Sequence, residues 1–338
     1  TGRRKENRFG SEISRTSFCL TARQLVMAES VTVKELQKLL WTKMNQVGLL
    51  LKTGQSNQSD GLPTTLKIAL FKLNIEVTDM TIHTKTTLKH WAEFKAQVDD
   101  GALVVVNHSG GKDSQATYAV IRSLVPASQL IVVHADLGDD VEHIGLVDHI
   151  RDNIDHDLLV AQAIWKDGSR KTLLDAIERR GMWPSSAARY CTSDLKRGPC
   201  EKVVRAQHDW KAKPRNVISC FGFRAEESSA RSKRPTWAKI KRNCTETRDW
   251  FEFSPIHDLS IAEVFEVIRL DGQTPHPIYS TGNERLSCVF CVLGSDNDIR
   301  NGAKQRPELF QRYVELEQKM NHTFRAKQSL AEIVTQAH

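Results

Sequence analysis

Residues 107–116 read NHSGGKDSQA, directly after the apolar run Ala102–Val106. Gly110 and Gly111 permit backbone conformations that bring main-chain N–H groups close to a ligand. Lys112 adds a cation and Ser114 a hydroxyl donor. The stretch that follows, DSQATYAVIRSLV, spaces Ala116, Ala119, Val120 and Leu124 as one face of a helix. A helix start offers unpaired N–H groups and partial positive charge. A glycine turn, a lysine and a helix N-terminus in series therefore predict a cradle for phosphate. It is not a Walker A loop, because Asp113 follows the lysine and Val106 stands where that motif's first glycine belongs.

Other chemistry-bearing stretches follow in order. VVHADLG (132–138) ends a strand-like run on Asp136 and Gly138. RYCTSDLKRGP (189–199) sets Cys191 near Lys196 and Arg197. GFRAEESSAR (222–231) presents Gly222, Arg224, Glu226, Glu227 and Arg231, and guanidinium groups grip phosphate or sulfate in bidentate fashion. PHPIYSTGNERLSCVFC (275–291) ends on the pair Cys288 and Cys291. Within ARSKRPTWAKIKRNC (230–244), the cations of residues 231–242 surround Trp237. That pattern suits either contact with a nucleic-acid acceptor or recruitment of a small anionic nucleotide.

The elements that must carry these groups alternate. Strands are predicted at 102–106, 129–136, 157–163 and 216–223, with helices at 88–98, 113–125, 141–154 and 172–181, the last stopped by Gly181. Alternation of this kind predicts an α/β fold, an open parallel sheet with helices on both faces and ligands at the carboxyl ends of its strands. A helical or irregular cysteine-containing C-terminal region completes it. The predicted division is residues 1–79 as an N-terminal extension or small helical module, 80–253 as the nucleotide-binding core, and 254–338 as the C-terminal region.

Composition sets further bounds. The 338-residue chain is 40% hydrophobic and 26% charged, with a net charge of +7. Residues 1–79 hold 12 Lys/Arg against 7 Asp/Glu, and the remainder 36 against 34, so most of the basic excess lies outside the motifs. No apolar run reaches the roughly 18 residues of a membrane span, and no secretory signal is visible. A cytoplasmic protein without a membrane partner is expected, in which the seven cysteines would not form structural disulfides.

The ordered set S-G-G-K-D-S, C-x-x-x-L-K-x-x-P, G-x-R-x-x-E-S and the terminal cysteine region resembles the phosphoadenosine phosphosulfate (PAPS) reductase family. That family lies within the PP-loop adenine-nucleotide α-hydrolase superfamily, and the resemblance covers residues 86–325. It implies a Rossmann-like core in which Ser109, Gly110, Gly111, Lys112, Asp113 and Ser114 form the pyrophosphate loop. Asp136, Gly138 and Lys196 would lie near the nucleotide, and Gly222, Arg224, Glu227 and Arg231 would form a second nucleotide or substrate motif. ATP or PAPS with Mg²⁺ is the implied ligand, with Asp113 or Asp136 near the metal.

Branches of the family differ in their cysteines. The chain as given ends in EIVTQAH, without the E-C-G-x-H-like segment of the strict PAPS reductases. The expectation is therefore an ATP pyrophosphatase that cleaves between the α- and β-phosphates and couples this to sulfur or adenylyl transfer, with nucleic acid as one acceptor. Release of sulfite from a sulfonucleotide is the alternative, using a thioredoxin-like partner, and a non-catalytic nucleotide-sensing or nucleic-acid-binding subunit is another. Cys191, Cys200, Cys288 and Cys291 are the candidate ligands of a [4Fe–4S] cluster. Zinc, a redox dithiol and unliganded thiols remain the other readings of the same set.

Overall fold

The structure, a computed structural model, describes residues 90–207 and 215–336. The described residues all belong to one unit, Thr78–His338. The predicted N-terminal extension or helical module, residues 1–79, lies outside the described residues.

Helix α1 (Trp91–Asp99) leads into β1 (Leu103–Asn107), and α2 (Lys112–Leu124) into β2 (Leu130–Ala135). Then come α3 (Leu146–Arg151), β3 (Leu158–Ala161), α4 (Leu173–Arg180), a π-helical turn at Cys191–Arg197, α5 (Gly198–Ala206) and β4 (Val217–Cys220). After a short α6 (Ser229–Ser232), β5 (Trp237–Lys239) and β6 (Trp250–Phe253) complete the sheet in the order β3-β2-β1-β4-β6-β5. All pairs are parallel except β5 with β6. The four strands read from sequence form the predicted parallel core. Two more extend it beyond β4.

Period-two alternation assigns the faces. Val104 and Val106 of β1 join Phe94, Tyr118 and Ile121 in one buried cluster, under α1 and α2. Leu103 and Val105 join Cys200, Val204 and Trp250 on the other face, under α5. Both faces are thus covered, which explains why the strands are apolar throughout. The C-terminal helices are α7 (Ile261–Leu270), α8 (Asp296–Gln305), α9 (Pro307–Met320) and α10 (Leu330–Thr335). Helix α7 starts on a Ser260–Glu263 capping box and packs against α2 through Val264, Val267 and Ile268. Helices α8 to α10 share a core with α4 and the π turn. No described helix is long and apolar enough to cross a membrane.

The sheet order places the topological switch between β1 and β4, where ligands of such sheets bind. There the chains after the two strands come very close. A Cβ added to Gly222 would lie 2.6 Å from the Asp113 carbonyl oxygen. Gly222→Ala should therefore destabilise the protein by about 1–3 kcal/mol, the usual cost of overpacking. A thermal melt should show this as a fall of a few to about ten degrees, and an unchanged melting temperature would contradict the close approach.

Candidate nucleotide site

The 109–114 turn sits where the sequence places it, between β1 and α2. Gly110 adopts φ +79°, and its N–H donates to His108 Nδ1 at 3.1 Å. Ser114 Oγ donates to the Gly111 carbonyl at 2.8 Å and accepts from Ser109 N at 3.1 Å, which ties the turn to the first turn of α2. Lys112 is only 3% exposed. Its Nζ donates to the Glu284 carbonyl at 3.1 Å and lies 3.4 Å from Asp113 Oδ2, and its backbone N–H donates to the Tyr279 hydroxyl at 2.9 Å. Leu286 packs against Gly110 and Gly111. Residues 279–286 thus cover the turn, and an anion binding to Lys112 would exchange with the Glu284 carbonyl.

Behind the turn, Arg224 Nε donates to Asp113 Oδ1 at 2.6 Å, and Arg224 is 4% exposed. Burial works against its charge, but Asp113, with Glu226 and Glu227, more than offsets this and holds the pKa above the ordinary arginine value. Arg224 does not line the cleft; it fixes Asp113 from behind. Glu227 accepts from the Arg224 N–H at 3.0 Å and pairs with Arg231.

A cleft of about 1530 Å³ opens over the turn. Its lining includes Ser109, Gly111, Lys112, Asp113, Ser114, Lys196, Gly222, Glu227 and Arg231, so most of the predicted residues meet in one place. Asp136 and Gly138 stand apart from that lining. The Asp136 carboxylate accepts from the Gly138 N–H at 2.7 Å and from Gln162 at 2.7 Å, and lies 3.0 Å from Arg170. Burial opposes its charge, yet Gln162, Arg170 and Gly138 together hold this carboxyl below the ordinary aspartate range.

Of the four candidate metal-binding cysteines, Cys191, Cys288 and Cys291 lie near Lys196, and Cys200 and Cys291 line the cleft, but the four pack in different surroundings. Cys200 packs with Leu103, Val105 and Trp250 against the sheet, whereas Cys191 and Cys288 pack against the C-terminal core. Burial pushes the Cys200 thiol up to about 12. Among the described residues no three His, Cys, Asp or Glu side chains form a group able to hold a metal ion. The sequence spacing between Cys191 and Cys200 did not reveal that α5 turns the second cysteine onto the sheet. Lys196 Nζ lies 3.9 Å from Cys288 Sγ. Burial pushes the Cys288 thiol up to about 12 against the pull of Lys196, so at neutral pH the pair is ammonium and thiol.

Several site residues escaped the sequence reading. Tyr279 is one, although it lies inside the quoted PHPIYSTG stretch; burial pushes its phenol up to about 12, so it stays protonated. Phe221, Phe223 and Arg285 also line the cleft. Histidines form another group beneath the turn. His149 and His276 stand 4.7 Å apart and His143 and His276 5.9 Å, ring centre to ring centre. Of the basic stretch, Arg231, Arg234, Lys239 and Arg242 pair with Glu227, Glu252, Asp249 and Glu201. Trp237 is stacked on Phe251 at 4.9 Å and is packed into the sheet edge.

A family model for the phosphoadenosine phosphosulfate reductase domain matches residues 103–293. The chain belongs to this family. The PAPS reductase domain thus runs from β1 through the C-x-x-C. An uncharacterized 37.8 kDa protein of Escherichia phage 186 is 30% identical over 145 residues, which cover 43% of this chain and 42% of that one. Among solved structures, the PAPS reductase of Candida auris in a phosphate complex aligns with a TM-score of 0.40 and 14% identity, over 70% of this chain and 98% of that one. The FMN adenylyltransferase of Candida glabrata with FAD and pyrophosphate aligns at 0.37 and 14%, over 73% and 70%. The U34-tRNA thiolase NcsA of Methanococcus maripaludis with its [4Fe-4S] cluster aligns at 0.34 and 12%, over 75% and 78%.

The histidines beneath the turn give a pH dependence. Burial, with His134 and His149 nearby, lowers His108 to about 3, and burial with His149 and His143 lowers His276 to about 4. Unfolded imidazoles protonate near about 6.5, so between these values the unfolded chain binds more protons and stability falls with pH. Melting temperatures taken at stepped pH should decline from about 6.5 toward 4, and His276→Asn should flatten the decline. A flat profile in the parent protein would show that these imidazoles are not held neutral.

Proposed function

We propose that this PAPS reductase-family protein is an ATP pyrophosphatase that couples α–β cleavage to sulfur or adenylyl transfer. The observation that carries this reading is the convergence of the glycine turn, Lys112 and the α2 N-terminus at the β1–β4 switch, backed by the Asp113–Arg224 pair. These groups suit a pyrophosphate leaving group. An acceptor oxygen attacks the α-phosphorus, the bond from that phosphorus to the bridging oxygen breaks, and the electron pair departs on pyrophosphate. Lys112 and the helix N-terminus stabilise the charge that develops there. The adenylated acceptor then yields AMP when a sulfur nucleophile displaces it.

Thiol attack on a sulfonucleotide has less support, because desolvation pushes the half-buried Cys288 thiol up and the thiolate is the nucleophile. Cys291, which lines the cleft, is the thiol that would favour that second reading.

Among the described residues no side-chain group is arranged to hold a metal ion. Asp113 is engaged by Arg224 and Lys112, Asp136 by Arg170 and Gln162, and Cys200 packs with Leu103, Val105 and Trp250. Mg²⁺ enters this account as part of Mg-ATP, the substrate, and no step runs through an iron–sulfur centre.

The test separates the readings by product. Protein handled anaerobically is incubated with Mg-ATP, and separately with PAPS and a thiol reductant. AMP and pyrophosphate from ATP are expected, with water attacking the α-phosphorus where no other acceptor is supplied, and Lys112→Ala should reduce their formation at least about a hundred-fold, the usual scale for losing one charge-stabilising group. Adenosine 3′,5′-bisphosphate and sulfite from PAPS, with no cleavage of ATP, would overturn the proposal in favour of a reductase.

A further inference from the structure

The cleft has a second arm. The β1–β4 switch separates the phosphate turn from the segment after β4, and on that segment Phe221 and Phe223 lie nearly parallel, 8° apart, with ring centres 5.3 Å from each other. Both rings line the cleft and both are half-buried. The Arg231 and Arg234 guanidinium carbons stand over Phe223 at 5.0 and 4.5 Å. Flat π surfaces, Phe221, Phe223 and guanidinium, thus lie side by side on the lining, with exposed Arg285 on the same lining 4.0 Å from Glu227. Burying one residue to support the sheet does not require two parallel rings open to a cleft. The volume of about 1530 Å³ also exceeds the roughly 300–1,000 Å³ of a pocket for one small ligand.

We infer that this arm is an acceptor subsite that stacks a nucleobase on Phe221 and Phe223 and takes the adjoining phosphate on Arg231, Arg234 and Arg285. Naming the ligand as acceptor rests on the transfer reading above; the stacking site itself does not. Aromatic rings and guanidinium planes bind bases of any identity, because every base has a π face. The acid partners of Arg231 and Arg234, Glu227 and Glu252, hold these side chains over Phe223 and lower the net charge of the arm. Stacking therefore contributes more here than bulk electrostatics. Trp237, the aromatic residue of the basic stretch, is excluded from the role by its packing on Phe251.

The test is binding of a fluorescently labelled single-stranded oligothymidylate, and of thymidine monophosphate as competitor, at fixed salt. Phe223→Leu keeps apolar bulk and removes the π face, and Phe223→Tyr restores it. Phe223→Leu should bind the strand roughly ten- to a hundred-fold more weakly, with Phe223→Tyr near the parent value and ATP affinity falling far less than strand affinity. Competition by the mononucleotide, lost in Phe223→Leu, would support the same subsite and give a free nucleotide as its source. Equal weakening of ATP would place the nucleotide's own base on the platform and overturn the second subsite. So would equal strand binding by parent and Phe223→Leu, or no binding by the parent. AMP formation measured in parallel keeps the two proposals distinct, since its absence with intact strand binding would refute ATP cleavage alone.

Discussion

The close approach of Gly222 to the Asp113 backbone is the constraint on which the rest of the site depends. A strand end and a helix start from opposite sides of the switch meet there with no room for a side chain. The Asp113–Arg224 pair then locks the junction, with the guanidinium buried and held by a carboxylate. Once this contact is set, the α2 N-terminus, Lys112 and the segment after β4 share one cleft. The phosphate-handling and aromatic arms follow from it: one extends along α2, the other along residues 221–231.

The same junction explains why charge is distributed as it is. Lys112 is nearly inaccessible, and its amine rests on a carbonyl oxygen rather than in water. The carbonyl is a neutral acceptor that a phosphate can replace, while the Asp113 carboxylate, 3.4 Å from the ammonium, is shared with Arg224. The neutral Tyr279 phenol plays the corresponding part for the Lys112 N–H. Beneath the turn, the histidines fill space as uncharged imidazoles, which preserves the positive character of the turn without adding like charge.

How much of this was legible in the sequence varied with range. Strands β1 to β4 are apolar because both faces are covered, and such runs stand out. Strand β6, WFEF, is short and carries Glu252, while β5 lies inside a basic stretch that reads as a loop. The helix expected over 141–154 is confined to Leu146–Arg151, because Gly145 takes a left-handed conformation at φ +75°. The phosphate turn was legible because its groups are contiguous. Tyr279, Glu284 and the aromatic pair were not, since only the fold brings them into one region with the turn, Glu284 from 172 residues away. Cys200 shows the converse: it is near Cys191 in sequence, yet the two pack in different cores, a separation that only the fold reveals.

The most direct test of the central claim, that the β1–β4 junction holds the pyrophosphate portion of ATP, is a crystal structure with the α,β-methylene analogue of ATP. The account predicts β- and γ-phosphates against Gly110–Ser114, with Lys112 Nζ moved from the Glu284 carbonyl to a phosphate oxygen. Phosphates bound elsewhere, with Lys112 still on the Glu284 carbonyl, would contradict it.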